Sequence, residues 1–231
     1  MRMILSDFLR VLKSIWFYIA FATTVVSLWV DLGPDSYWVL HGGIIDPMEM
    51  LAKALSGSGS ALSLPLLASL PCSANAFLEL SSGAVRMAVF RSGRTAYISS
   101  KLFSMIFAAA LSQLSGVLLF TGMLLATGSG TVSPFPAHML LARLLSAIVF
   151  SIVGGTGALL SGDAVSAIAV PTAMSFALFM LSARFFVGVR FIDPMSWLTG
   201  EADTILSLCI FISAVAALFA VVIRREMLRY V

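Results

Sequence analysis

Long apolar stretches alternate with short polar ones along almost the whole chain. Runs at about 14–30, 54–74, 102–126, 138–160, 164–183 and 204–223 carry no charged residue except Arg143. A helix crosses the hydrocarbon core of a bilayer with about 20 such residues, so the pattern predicts six spanning helices. A helical period precedes the first run. Ile4, Phe8, Leu12 and Ile15 share one face, with Asp7, Arg10 and Ser14 opposite. That suits a short amphipathic helix lying in the membrane interface, or an extension of the first span. Pro65 and Pro71 in the second run and Pro171 in the fifth predict kinks. Such kinks are tolerated in a membrane when neighbouring helices satisfy the freed carbonyls.

Small residues recur every four positions in two runs: Ser104, Ala108, Ser112 and Gly116, then Gly154, Ala158 and Gly162. Faces of this kind let helices approach closely. Packing within the chain is the favoured use, and a dimer seam is the other. SGSGS at 56–60, opening the second run, permits close approach in the same way.

Three connecting segments are more than plain loops. Residues 31–53 carry Asp31, Asp35, Asp46 and Glu49 together with Tyr37, Trp38 and the apolar pair Ile44–Ile45. Aromatics of this kind suit a membrane–water interface. Residues 184–203, RFFVGVRFIDPMSWLTGEAD, are too polar to span and too apolar for a plain loop, which predicts an interfacial or partly re-entrant segment. The third is the basic stretch 75–101, NAFLELSSGAVRMAVFRSGRTAYISSK. It sets Arg86, Arg91, Arg94 and Lys101 against a single acid, Glu79. Residues 82–91 can form a short helix that exposes Arg86 and Arg91, with Arg94 nearby. Val85, Val89 and Phe90 are then left for the membrane or a partner's groove. Helix–helix connections usually run about 2–8 residues. A longer one of mixed apolar and basic character suggests a docking element. The plainer alternative is a basic loop attracted to anionic lipid.

Composition agrees with the pattern. The 231 residues are 60% hydrophobic and 11% charged, where soluble domains carry about 25% charged residues. The expectation is an all-α polytopic membrane protein with one transmembrane domain over 1–231. Six spans put both termini on one side, and the positive-inside rule identifies it. Arg2, Arg10, Lys13, Arg86, Arg91, Arg94, Lys101, Arg224, Arg225 and Arg229 share the side of the termini with four acids: Asp7, Glu79, Asp163 and Glu226. Lys53, Arg143, Arg184 and Arg190 fall on the other side with seven acids. The termini are therefore expected in the cytoplasm. The first run exceeds the roughly 7–15 residues of a signal-peptide core and no A-x-A site follows, so it reads as a retained span.

Candidate chemistry is sparse. Cys72 and Cys209 lie in apolar runs and read as buried thiols, and no Cys/His cluster suggests a metal. His41 and His138 lack the surrounding motif of an intramembrane protease. The four cytoplasmic acids are too scattered in sequence for the metal of a phospholipid-type transferase. No GxxxxGK[ST] motif is present to cradle ATP phosphates, so no enzymatic activity is expected of this chain. Arg143, Arg184 and Arg190 read as interface anchors or as groups facing a central cavity.

Glu79 is followed four positions later by Gly83, then by a hydrophobic stretch, Arg94, Tyr97 and a Lys101 that opens the third span. In these residues and in its six-span layout the chain resembles permease subunits of exporter-type ABC transporters, the group with drug, polysaccharide and lantibiotic-immunity exporters. Ser82 and Ser92–Gly93 stand where that group often has a charge and a proline. The resemblance implies a coupling helix within about 80–95 that sits in a groove of a separate ATP-binding subunit. Its contact residues would be Glu79, Gly83, Arg86, Phe90, Arg91, Arg94, Tyr97 and Lys101, with Asp163 as a second cytoplasmic contact. It further implies two ATPase copies holding ATP and Mg, a second permease chain (identical or paralogous), and a place in a bacterial cytoplasmic membrane. It implies no cofactor on this chain and no nucleic-acid partner. The alternative is a six-span substrate-capture subunit of a vitamin-type importer, which lacks its own basic docking segment.

Overall fold

The computed structural model describes residues 2–41, 46–127, 133–186 and 189–230, without the side chains of residues 2–5, 40, 229 and 230. Ile4, Arg2, Arg229, the Ile44–Ile45 pair and the loop 128–132 therefore lie outside the described side chains. The chain is all α-helical among the described residues: α1 (Arg2–Leu12), α2 (Ile15–Leu32), α3 (Asp35–Leu40), α4 (Pro47–Leu55), α5 (Ser58–Ser69), α6 (Asn75–Ser81), α7 (Ala84–Ser92), α8 (Arg94–Thr127), α9 (Ala137–Ser161), α10 (Ser166–Arg184), α11 (Pro194–Trp197) and α12 (Ala202–Tyr230).

Five of these, α2, α8, α9, α10 and α12, are long and apolar enough to cross a membrane. The shortest, α2, has 18 residues and extends about 27 Å at 1.5 Å per residue, close to a hydrocarbon core of about 30 Å. The second expected span, 54–74, is not one helix. α4 ends at Leu55, α5 runs from Ser58 to Ser69, and a turn over 70–74 leads into α6. That second break falls on Pro71, which offers no amide hydrogen to continue the ladder. Conversely, α8 begins eight residues before the expected span, inside the basic stretch.

The hub is α9. In its spanning window 72% of residues are buried, against 17% for α12 and 22% for α10, and it packs on α5, α8, α10 and α12. Glycine makes this possible. A Cβ on Gly154 would lie 2.3 Å from the Ala167 carbonyl oxygen, and one on Gly157 would lie 2.8 Å from Val170 Cβ. Ala158 is fully buried beside them. On α8, Ser104, Ala108, Ser112 and Gly116 are all buried, and a Cβ on Gly116 would meet Thr24 of α2 at 2.8 Å. Both small faces are thus occupied within the chain. Gly162 is not part of either; it is exposed and ends α9 in a left-handed conformation.

One apolar cluster joins α1, the start of α2, α6, α7, the start of α8 and the last turns of α12. The first and last helices therefore meet at the same end of the bundle. A second cluster closes the opposite end with α3, α4 and the far ends of α2 and α8. There Asp46 caps α4 by accepting from the Met48 amide, and hydrogen bonding from the Ser133 hydroxyl holds its carboxyl below the usual carboxylate range. Trp16 and Tyr18 are exposed at one end of α2, and Tyr37 and Trp38 just past the other, the positions of an aromatic belt.

Residues 189–201 fold back onto the bundle. Trp197 is fully buried, its indole N–H donates to the Phe191 carbonyl at 2.9 Å, and its ring packs against Phe150 and Phe211. Gly200 lies against the start of α9, where a Cβ would be 2.6 Å from the His138 backbone. The short helix α11 of this segment packs on α5, α9, α10 and α12.

Gly154→Ala is expected to destabilise the protein by about 1–3 kcal/mol, the usual cost of overpacking, because the Ala167 carbonyl is backbone and cannot step aside. Gly122→Ala, with open space around it, is expected to be neutral or to stabilise by up to ~1 kcal/mol. Thermal unfolding of both variants in detergent checks this contrast.

Candidate functional site

Three helices converge where α8 begins. Tyr97, Ser100, Lys101 and Ser104 follow one another at i, i+3, i+4 and i+7 of α8, so they share a face, and all four are buried. α1 brings Asp7 and Arg10 to that face, and α6 brings Glu79. The Lys101 ammonium, 3% exposed, donates to Asp7 Oδ2 at 2.9 Å and to Glu79 Oε1 at 2.8 Å. Ser100 donates to Asp7 Oδ2 at 2.8 Å, and the Tyr97 hydroxyl donates to Glu79 Oε2 at 3.1 Å. Arg10 Nη1 completes the set, donating to Glu79 Oε1 at 2.6 Å. Two cations meet two carboxylates, so the cluster carries no net charge. The Lys101 ammonium also lies 5.4 Å from the Tyr97 ring centre, within cation–π range.

This geometry corrects the face assigned to α1. Asp7 and Val11 point inward, at 6% and 2% exposure, and Leu9 is exposed. The apolar stripe through Phe8 and Leu12 is only half-buried. A buried lysine 94 residues away outweighs the hydrophobic pattern, because an uncompensated charge in the interior is far more costly than an exposed leucine.

α7 packs on α6 and α8. Gly83 at φ +74° precedes it and Gly93 at φ +83° follows it, a region other residues enter only with strain. Val85 is fully buried, and Ala88 and Val89 pack on the same core. Val85 is therefore anchored in the chain's own core, and Val89 is half-buried against it. The opposite face carries Arg86, Met87, Phe90 and Arg91, all exposed, with Phe90 at 91%. Of the residues implied by the family resemblance, Glu79, Tyr97 and Lys101 thus turn into the ionic cluster. Gly83 forms the turn into α7, and Arg86, Phe90, Arg91 and Arg94 lie on the surface. Asp163 is exposed in the turn after α9.

A second polar site lies deep in the bundle. Arg143, placed by its sequence position as an anchor or a cavity group, is completely buried and is no interface anchor. Its Nε donates to Gln113 Oε1 at 3.2 Å, and Gln113 Nε2 donates to Thr24 Oγ1 at 3.0 Å. Thr24 and Gln113 stand near the midpoints of α2 and α8. Both terminal nitrogens of Arg143, Nη1 and Nη2, are buried without a hydrogen-bond partner. The Asp31 carboxylate is committed elsewhere, accepting from the amides of Gly59 at 2.9 Å and Ser60 at 2.5 Å. It thereby caps α5, where a helix N-terminus favours negative charge. A Cβ on Gly57 would lie 2.2 Å from Asp31 Cγ, so SGSGS admits a side chain, where its composition suggests a close helix approach.

Arg190 and Glu201 form an ion pair on the surface, and Arg184 is exposed. Cys72 is buried and Cys209 is exposed on α12, contrary to the expectation for the latter. No group of three or more His, Cys, Asp or Glu gathers among the described residues.

No family model matches this chain, and neither a curated protein nor a solved structure shows significant similarity to it. The fold itself defines the class: a polytopic all-α bundle with about five candidate membrane-spanning helices, an architecture consistent with transport proteins in general.

Lys101→Met leaves two carboxylates without their shared cation and is expected to cost about 3–5 kcal/mol, as for other broken buried pairs. Arg10→Ala, at the exposed rim, is expected to cost under ~1 kcal/mol. Thermal or denaturant unfolding in detergent distinguishes them. The double replacement Arg143→Met with Gln113→Leu removes an under-satisfied guanidinium together with its partner. Removing a buried charge that lacks its hydrogen bonds relieves the cost of holding it away from water, so a raised thermal midpoint is expected here.

Proposed function

We propose that this chain is the permease subunit of an ATP-binding-cassette exporter, driven by a separate ATPase that docks on α7. The observation that carries the reading is the build of that helix. It is a nine-residue element outside the candidate spans, anchored inward by Val85 and presenting Arg86, Met87, Phe90 and Arg91 outward. An aromatic and arginines on one exposed face are the composition of an interaction hot spot. Its footing suits the role: α7 rests on the start of α8, where Lys101 links α1, α6 and α8. Displacement of α7 would therefore reach a long spanning helix.

On this reading the end bearing α1, α7 and the last turns of α12 is cytoplasmic, in keeping with the bias of basic residues toward it. Two ATPase copies bind ATP and Mg, and a second permease chain, identical or paralogous, completes the path. The chain itself performs no catalysis. Asp163, exposed at the same end of the bundle, is the second contact.

Co-purification with neighbouring gene products is expected to bring down an ATPase. Phe90→Ala is expected to weaken the association by roughly 30-fold, the scale of a hot-spot residue, and the pair Arg86→Glu with Arg91→Glu to abolish it. The thermal midpoint of the Phe90→Ala variant should stay unchanged, since that side chain is 91% exposed. Intact co-purification with undiminished ATPase activity in both variants would sink the proposal.

A further inference from the structure

At the same end of the bundle a groove of about 570 Å³ runs between the first turns of α8 and the last turns of α12. Arg94 and Arg224 stand on its two walls. Both are exposed, and neither has a hydrogen-bond or ion-pair partner among the described residues. Going from Arg94 into the span, the α8 wall continues through Ile98 and Leu102, one and two turns deeper. α12 runs the opposite way, and from Arg224 its wall continues inward through Val221, which is 66% exposed. The groove therefore grades from two unpaired guanidinium groups to an apolar channel. It does so along two helices that are long and apolar enough to span.

We infer that this groove holds an anionic phospholipid, with its phosphate between Arg94 and Arg224 and an acyl chain along Ile98, Leu102 and Val221. The argument is charge complementarity joined to depth. Arginine matches a phosphate bidentately, and basic pockets between spanning helices select acidic headgroups. A zwitterionic choline headgroup would bring a third cation beside two arginines and is disfavoured. The inference rests on the spanning helices alone and stands whether or not an ATPase docks on α7.

The test is native mass spectrometry of the full chain from neutral detergent micelles containing equal phosphatidylglycerol and phosphatidylcholine. One phosphatidylglycerol is expected to be retained preferentially. The preference should fall by about 25-fold in the double variant Arg94→Gln with Arg224→Gln, at roughly fivefold per arginine. Ile98→Trp, which fills the apolar channel and leaves both charges in place, should also release the lipid. Because Arg94 and Arg224 are exposed and unpaired, the charge variant is expected to keep the wild-type thermal midpoint. Equal retention of the two lipids, or retention unchanged in both variants, overturns the inference. So does displacement by millimolar inorganic phosphate, which would mark a free-phosphate site, or an arginine-dependent shift to a dimer without lipid, which would mark a second copy as the occupant.

Discussion

A lysine buried among apolar helices must be neutralised, and the end of the bundle that holds both terminal helices is arranged around meeting that requirement at Lys101. Each of its two carboxylates comes from a different helix, so removing its charge from water also ties α1 and α6 to α8. The cluster is balanced in charge, and each carboxylate takes a further hydrogen bond from Ser100 or Tyr97. In a low-dielectric interior that completeness separates a stabilising network from a costly one. Val11, Leu80 and Tyr97 belong to the apolar cluster at the same end of the bundle, where the Lys101 side chain is only 3% exposed.

The Arg143 site is built on the opposite principle. One of its three nitrogens is held by Gln113, and two have nothing. The nearby carboxylate of Asp31 is spent on capping α5. A single fold thus carries one fully compensated cation at its end and one under-compensated cation near its middle. Intramembrane charges of the second kind are rare and tend to mark function. The bundle around it is otherwise closely packed, with α9 reduced to glycine where its neighbours press hardest.

Much of the architecture was legible from apolar run length. Five of six expected spans correspond to continuous helices, and the short helix of the basic stretch lies within two residues of its expected bounds. The second expected span, 54–74, is not one helix because Pro71 and the glycines around Asp31 interrupt it, and run length ignores both. What stayed hidden depends on distant partners. Asp7 sits on the polar face of a tidy amphipathic pattern, and only a lysine 94 residues on explains why that face is buried. Gln113, the sole glutamine of the chain, together with an arginine in the next span, was the one available sign of the deeper site. The glycines at 57 and 59 hinted at close packing, but not that a carboxylate would fill the space.

The order of partners along the chain has a consequence for biogenesis. Asp7 and Glu79 precede Lys101, and Gln113 precedes Arg143. A ribosome delivers N-terminal segments first. Each interior cation therefore emerges after the groups that receive it, and neither has to wait in hydrocarbon for a partner still to be made.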